Sequence, residues 1–143
     1  MPSIVPYHES HFDGVRLLWH EAFPNDPPWN AAKLAIPANL KKQPDLFLVA
    51  IDQGVVAGSI MGSIMAGYEA NRGWLYAAAV LQSHQRQGVG TALVKEAENL
   101  LSAMGCRKIN LQVRSSTTAV IRFYRSLGYE VEEGVSMGKG VRP

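Results

Sequence analysis

The sequence predicts one mixed α/β domain spanning residues 1–143. Three observations predict it. A chain of 143 residues suits one core better than two. It is 47% apolar and 18% charged, too apolar for disorder and sufficient to bury a core without staples. Its apolar pattern switches between strand-like and helix-like periods, with the two kinds interleaved and strands in the majority.

The elements follow in order. Ser3–Tyr7 reads as a short strand. His11–Phe23 places Val15, Leu18, Trp19 and Ala22 at helical spacing, and Pro24–Pro28 ends it. Asn30–Lys42 reads as a second helix, with Pro37 predicting a kink or two short pieces. Leu46–Ile51 is a buried strand, Asp52–Gly54 a hairpin turn, and Val55–Ala66 a longer strand. Gly-Ser-Ile-Met occurs there twice in tandem, at Gly58–Met61 and Gly62–Met65. Strict alternation places Ile60 and Ile64 on one face, Met61 and Met65 on the other. Tyr68–Gly73 is a turn. Trp74–Leu81 is nearly all apolar and reads as a central strand. Val89–Met104 is an amphipathic helix with Val89, Leu93, Leu100, Leu101 and Met104 on one face, capped by Gly105. Lys108–Val113 is a strand, and Ser116–Leu127 a helix opened by Ser116 or Thr117 and stopped by Gly128. Glu130–Val141 closes with strand-like residues.

Composition excludes several functions. A net charge of +2 does not suit a polycationic nucleic-acid binder, and no partner of that kind is expected. The single cysteine, Cys106, excludes an internal disulfide or a cysteine-rich zinc site and suits a reducing compartment. His8, His11, His20 and His84 lack ligand spacing, so no metal is assigned. No apolar run reaches the ~20 residues of a membrane helix, and the start lacks a signal pattern, so a cytoplasmic protein is expected.

Charge is uneven. Met1–Asn71 carries seven acids and four bases; the remainder carries five acids and ten bases. Asn99–Tyr129 has no acid but holds Arg107, Lys108, Arg114, Arg122 and Arg125. This reads either as a solvated basic face or as a surface for an anionic ligand.

Three local features carry chemistry. Gln85-Arg86-Gln87-Gly88-Val89-Gly90 lies between an apolar strand and an amphipathic helix. N–H groups that open a helix are unpaired and sit at its positive end, and glycine lets a phosphate approach them. Gly-x-Gly also marks plain tight turns. The spacing is not that of the dinucleotide fingerprint, and no Gly-Lys-Ser/Thr follows. Second, Ala77, Ala78 and Ala79 leave space beside a strand, for a packed helix or for an extended ligand that pairs with open backbone groups. Third, Val120, Tyr124 and Leu127 share a face of the last helix. A tyrosine there serves as core, or as a hydroxyl in need of a partner.

Gln-x-x-Gly-x-Gly after the Trp74–Leu81 strand, then Ile109-Asn-Leu-Gln-Val-Arg114, then Phe123-Tyr-Arg-Ser-Leu-Gly-Tyr129 resembles the GNAT superfamily of N-acetyltransferases. The likeness covers essentially the whole chain. It implies a mixed, mostly antiparallel sheet splayed at two central strands, flanked by helices, with acetyl-CoA in the V between those strands. Ala78, Ala79 and Val80 then match the segment that pairs with pantetheine, and the Val80 N–H faces the thioester carbonyl. Gln85, Arg86, Gln87, Gly88, Val89, Gly90 and Thr91 match the pyrophosphate loop. Tyr124 matches the tyrosine that protonates the departing thiolate. Thr117 stands where many relatives contact the cofactor arm with asparagine. Gln82 replaces a frequent proline and Gln87 a frequent arginine. The Trp74–Leu81 strand lacks the glutamate base of many relatives.

An amine must be neutral to attack a thioester. A lysine of pKa ~10.4 pays about 4–5 kcal/mol for that at pH 7, and an α-amine near pKa 8 about 1–1.5 kcal/mol. Something must accept the proton. The sequence offers Glu69, on the turn entering the central strand and otherwise a plain surface turn residue, and the Tyr76 hydroxyl acting through an ordered water. Arg72 suits a substrate carboxylate or a turn salt bridge. Asp26 and Trp29, in a stiff proline-rich loop, suit a cationic substrate or plain packing.

The expected activity is transfer of acetyl from acetyl-CoA to a primary amine in a ternary complex, by a monomer or homodimer. The other class left open is a non-catalytic acyl-CoA sensor or interaction module.

Overall fold

Strands pair in the order in which the chain makes them: β1 (Pro2–Pro6), β2 (Phe47–Asp52), β3 (Ser59–Glu69), β4 (Arg72–Val80) and β5 (Ile109–Leu111). The first three pairings are antiparallel. The β4–β5 pairing is parallel and covers only Gly73–Leu75 against Ile109–Leu111. Parallel neighbours need a crossover, which α3 (Val89–Ala103) supplies. The remaining helices are α1 (Phe12–Ala22), α2 (Ala32–Lys42) and α4 (Thr118–Ser126). The computed structural model describes residues 2–26, 31–52, 59–69, 71–113 and 118–141. It divides into two compact units, Met1–Gln112 and Val113–Pro143.

Within the first unit the sheet is buried on both faces. α1 and α2 cover one face with Val15, Leu18, Trp19, Ala32 and Ile36, which meet Phe47, Val49, Ile60 and Met65 from the strands. Each such side chain contributes roughly 1.5–3 kcal/mol by leaving water. α3 covers the other face with Val89, Leu93, Val94, Ala97 and Leu101. Of the apolar face expected on α3, Met104 is instead 48% exposed, lying beyond the last helical turn.

A bulge corrects the expected alternation in β3. Gly62 pairs with Ala50 and Ile60 with Ile51, so Met61 is an extra residue. Ile60 therefore joins Met65 in the α1–α2 core, while Gly62 lies against Leu93 and Val89 of α3. Ile64 shares the face of Gly62 rather than that of Ile60.

Other boundaries also shift. α2 runs unbroken through Pro37, because Ala32 and Ile36 anchor it in the core on the near side. The β5 strand is shorter than the predicted Lys108–Val113 segment, since its only ladder is to the first part of β4. The 52–54 turn, the 55–58 start of the long strand and the 116–117 helix cap lie outside the described residues, wholly or in part. Residues 129–141 form no strand, and Val131, Val135, Met137 and Val141 are exposed. Alternating apolar residues make a strand only where a ladder partner exists. Among the described residues no helix is long and apolar enough to cross a membrane.

A pair of histidines caps the short 3-10 turn Glu9–His11 that precedes α1. The His11 Nδ1 accepts the His8 backbone N–H at 2.9 Å, and the His8 Nδ1 accepts the Ser10 N–H at 3.1 Å. Protonated nitrogens cannot accept. Burial, then the charge of His8, lowers the His11 pKa from its usual value. A lowered histidine pKa favours the neutral form in the fold, so this stabilisation is full above about pH 6.5 and is lost as pH falls through the folded value. The melting temperature should fall between pH 7.5 and pH 5, and His11→Asn, whose amide oxygen still accepts, should fall less over that interval.

Candidate active site

The outer edge of β4 is the site's central feature. β5 pairs with β4 only as far as Leu75, so the Tyr76–Val80 backbone has no strand partner on that side among the described residues. On the inner side, the Leu81 N–H donates to the Met61 carbonyl on β3 at 2.8 Å. Successive residues of a strand turn their N–H groups to opposite edges. The Val80 N–H and C=O therefore face the open edge. The Gln85 side chain donates to that Val80 carbonyl at 3.3 Å, tying the next loop to the strand. Ala79 is buried and Ala78 half-buried, so small side chains keep this edge low.

A second bulge shapes the edge. Ser63 pairs with Ala79 and Met65 with Tyr76, so Ala77 and Ala78 together oppose Ile64. Ala77 has φ +52°, a left-handed conformation that disfavours any side chain. The buried Ser63 hydroxyl donates to the Ala77 carbonyl at 3.3 Å and accepts the Trp19 indole N–H at 2.9 Å. Nothing in the sequence marks Ser63, which is one of two serines in a tandem repeat.

The predicted pyrophosphate loop follows. Arg86 (φ +63°) and Gly88 (φ +84°) are both left-handed and bracket Gln87. Gly88 is the N-cap of α3, and no side chain caps the helix there. The first-turn N–H groups of Val89, Gly90 and Thr91 are thus presented without a side-chain acceptor, in the arrangement that binds anions. Arg86, Gln87 and Gly88 are exposed, whereas Val89 is buried in the core. The open edge and this helix start follow one another in the chain. Glu21, at the end of α1, accepts the Gln82 N–H at 2.9 Å and holds the connection between them.

Tyr76 projects from β4 and is 43% exposed. Its oxygen accepts from Asn39 Nδ2 at 2.7 Å. Burial raises the Tyr76 pKa, and the Asn39 bond partly offsets that. Asn39 is a buried polar residue that sequence patterning hides inside a helix. Gln43 also reaches over from the end of α2, donating to the Tyr68 carbonyl and accepting the Tyr68 N–H, both at 2.9 Å.

Glu69 and Arg72 face each other at the end of the β3–β4 hairpin, both exposed. Glu69 is four β3 positions from Met65, the partner of Tyr76, and seven from Gly62, the partner of Val80. At ~3.4 Å per residue these are roughly 14 and 24 Å. The hairpin does not bring Glu69 and Val80 together. Asp26 is half-buried after α1, and its N–H donates to the Phe23 carbonyl at 3.3 Å. Trp29 and Thr117 lie outside the described residues. Among the described residues no three His, Cys, Asp or Glu side chains cluster as metal ligands would.

Tyr124 belongs to the second unit. It is 8% exposed on α4 and packs edge-on to Phe123 and Tyr129, with ring centroids 5.0 and 5.6 Å away. Burial raises its pKa. Gly128 (φ +98°) ends α4 as expected, and the Tyr129 N–H returns to the Tyr124 carbonyl at 3.0 Å.

Known proteins resemble this chain in sequence and in fold. Residues 12–129 match the model of the acetyltransferase (GNAT) family. An acetyltransferase from Yersinia enterocolitica is 38% identical over 137 residues, covering 96% of this chain and 94% of its own. Two solved structures share the fold. Ard1 from Thermoplasma volcanium has TM-score 0.80 at 22% identity, over 92% of this chain and 84% of its own. AAC(6')-Iy in complex with a CoA-based bisubstrate analog has TM-score 0.78 at 20% identity, over 99% of both chains.

Proposed function

The chain belongs to the acetyltransferase (GNAT) family and is an acyltransferase; from that premise we propose that it moves an acetyl group from acetyl-CoA to a primary amine, on a small molecule or a peptide, by direct attack in a ternary complex. The observation that carries this reading is the Val80 N–H on the edge of β4 that has no strand partner among the described residues, running into the start of α3 that no side chain caps. An N–H donor for a carbonyl and a set of N–H donors for a diphosphate then lie along one stretch of backbone, which fits the shape and charge of acetyl-CoA.

Acetyl-CoA supplies an acyl thioester whose carbonyl is open to attack. The chain's residues do the remainder. Val80, Ala79 and Ala78 hold the arm along β4. The first-turn amides of α3, with Gln85, Arg86, Gln87, Gly88, Gly90 and Thr91 around them, hold the phosphates. The Val80 N–H stabilises charge that develops on the carbonyl oxygen, an effect worth about 2–4 kcal/mol for a fixed donor.

The amine's proton leaves by way of Tyr76. A phenol whose pKa is raised cannot be the final base near neutral pH, so Tyr76 accepts and passes on a proton through water. Asn39 occupies one side of the Tyr76 oxygen and leaves its O–H turned outward. Glu69 and Arg72, at the hairpin end, are proposed to meet a distal part of the acceptor, as are Asp26 and Trp29. By family resemblance, Tyr124 returns a proton to the thiolate.

The test is a primary-amine library offered with acetyl-CoA, read as free thiol, alongside calorimetry of acetyl-CoA binding. Thiol release that needs both protein and a particular amine is expected. Tight binding without release for any amine would make the chain a sensor, and no binding at all would end the proposal.

A further inference from the structure

The geometry points to Ser63 as a positioning residue for the transfer reaction: its hydroxyl ties down the Ala77 carbonyl and so fixes the kink of β4 that aims the Val80 N–H. This rests on the reading of β4 as the thioester-binding strand.

The direction of each bond in the relay is determined by chemistry. An indole N–H only donates, so the Ser63 oxygen is the acceptor of the Trp19 bond at 2.9 Å. The one hydroxyl proton of Ser63 is thereby committed to the Ala77 carbonyl at 3.3 Å. Ser63 is fully buried, so water does not reach its hydroxyl from the Ser63 side, and the Trp19 bond is buried throughout. Three elements are joined at one oxygen: Trp19 of α1, Ser63 of β3 and Ala77 of β4.

Ala77 needs such a tether. Its φ of +52° is a conformation that a residue with a Cβ adopts only when its surroundings hold it there. The bulge takes it out of the regular β3–β4 register, between the Met65–Tyr76 and Ser63–Ala79 pairs. The Ser63 hydroxyl replaces part of what the ladder no longer provides. Three residues later the chain presents the Val80 N–H. A donor must lie within about 0.5 Å of its working position to stabilise developing charge. A relaxed Ala77 therefore costs turnover more than it costs binding.

Ser63→Ala alone confounds two effects, because it also strands the Trp19 N–H in the core. Trp19→Phe removes that donor, so the informative comparison is Trp19→Phe against Trp19→Phe/Ser63→Ala. The double variant should match the single variant in melting temperature within a few degrees, keep its KM for acetyl-CoA within twofold, and lose about tenfold in kcat. Adding Ala77→Gly, which removes the Cβ penalty of the left-handed conformation, should recover most of that loss. A kcat within twofold of Trp19→Phe makes Ser63 a packing residue and overturns the inference. If the double variant does not fold, Ser63→Cys replaces it. The thiol is a weak donor of similar size, and a kcat threefold or more below wild type supports the tether while an unchanged kcat overturns it. Wild-type protein that releases no thiol with any amine refutes the functional reading instead, which keeps the two failures apart.

Discussion

Gly62→Ala is expected to destabilise the protein by roughly 1–3 kcal/mol through overpacking and to weaken acetyl-CoA binding about tenfold. A Cβ on Gly62 would lie 2.8 Å from the Ala79 backbone carbonyl, 3.0 Å from Leu93 Cδ1 and 3.3 Å from Val89 Cγ1. A carbonyl in a strand cannot rotate aside as a side-chain tip can, so β4 or α3 must move. Both carry the proposed cofactor contacts: Gly62 pairs with Val80, and Val89 opens α3. Thermal melts should fall by about 3–5 °C per kcal/mol in a domain of this size. Gly138→Ala is the control, since nothing lies within 4 Å of the Cβ it would add. A Gly62→Ala protein with wild-type melting temperature and affinity would mean that helix and strand are not closely packed here.

Tyr124→Phe should lower kcat tenfold or more with little change in affinity for acetyl-CoA. The ring is what α4 packs, and phenylalanine keeps it, so contacts with Phe123 and Tyr129 survive. What is lost is the hydroxyl. Burial raises its pKa, so it stays protonated through the working range and is suited to donate. The leaving thiol resembles cysteine, with pKa ~8.5, so proton donation assists its departure without being indispensable. Steady-state kinetics, calorimetry and a melt on one preparation decide the matter. Loss of folding would make Tyr124 a core residue, and an unchanged kcat would remove it from the chemistry.

Much of the β4–α3 segment was legible because its determinants are local. Gly88, after an apolar strand and before an amphipathic helix, reads as part of a tight turn at a helix start, and Gly128 reads as a helix stop; both have positive φ. The strand pattern of Trp74–Leu81 is equally plain. Ser63, Trp19 and Asn39 were not legible. Their partners lie 14 to 44 residues away, and a serine or asparagine in a periodic segment does not announce a hydrogen bond across the sheet. The faces of Ile60 and Ile64 were misread for a related reason: a one-residue bulge reverses alternation, and it arises from how β2 and β3 meet.

The acceptor half shows the same division. In sequence, Glu69 and the Tyr76 hydroxyl acting through water both stand as proton acceptors, seven residues apart. The hairpin register separates Glu69 from the Val80 edge by roughly 24 Å, because antiparallel pairing converts chain distance into strand length.

By itself, then, the sequence determined the class of fold and the glycine stops of α3 and α4, Gly105 and Gly128, since each depends on patterns and backbone preferences within a few residues. Only the tertiary structure decided which edge of β4 stays open, which side chain bonds the Ala77 carbonyl and how far Glu69 lies from Val80. Those depend on register and packing between segments distant in the chain, which local preferences do not encode.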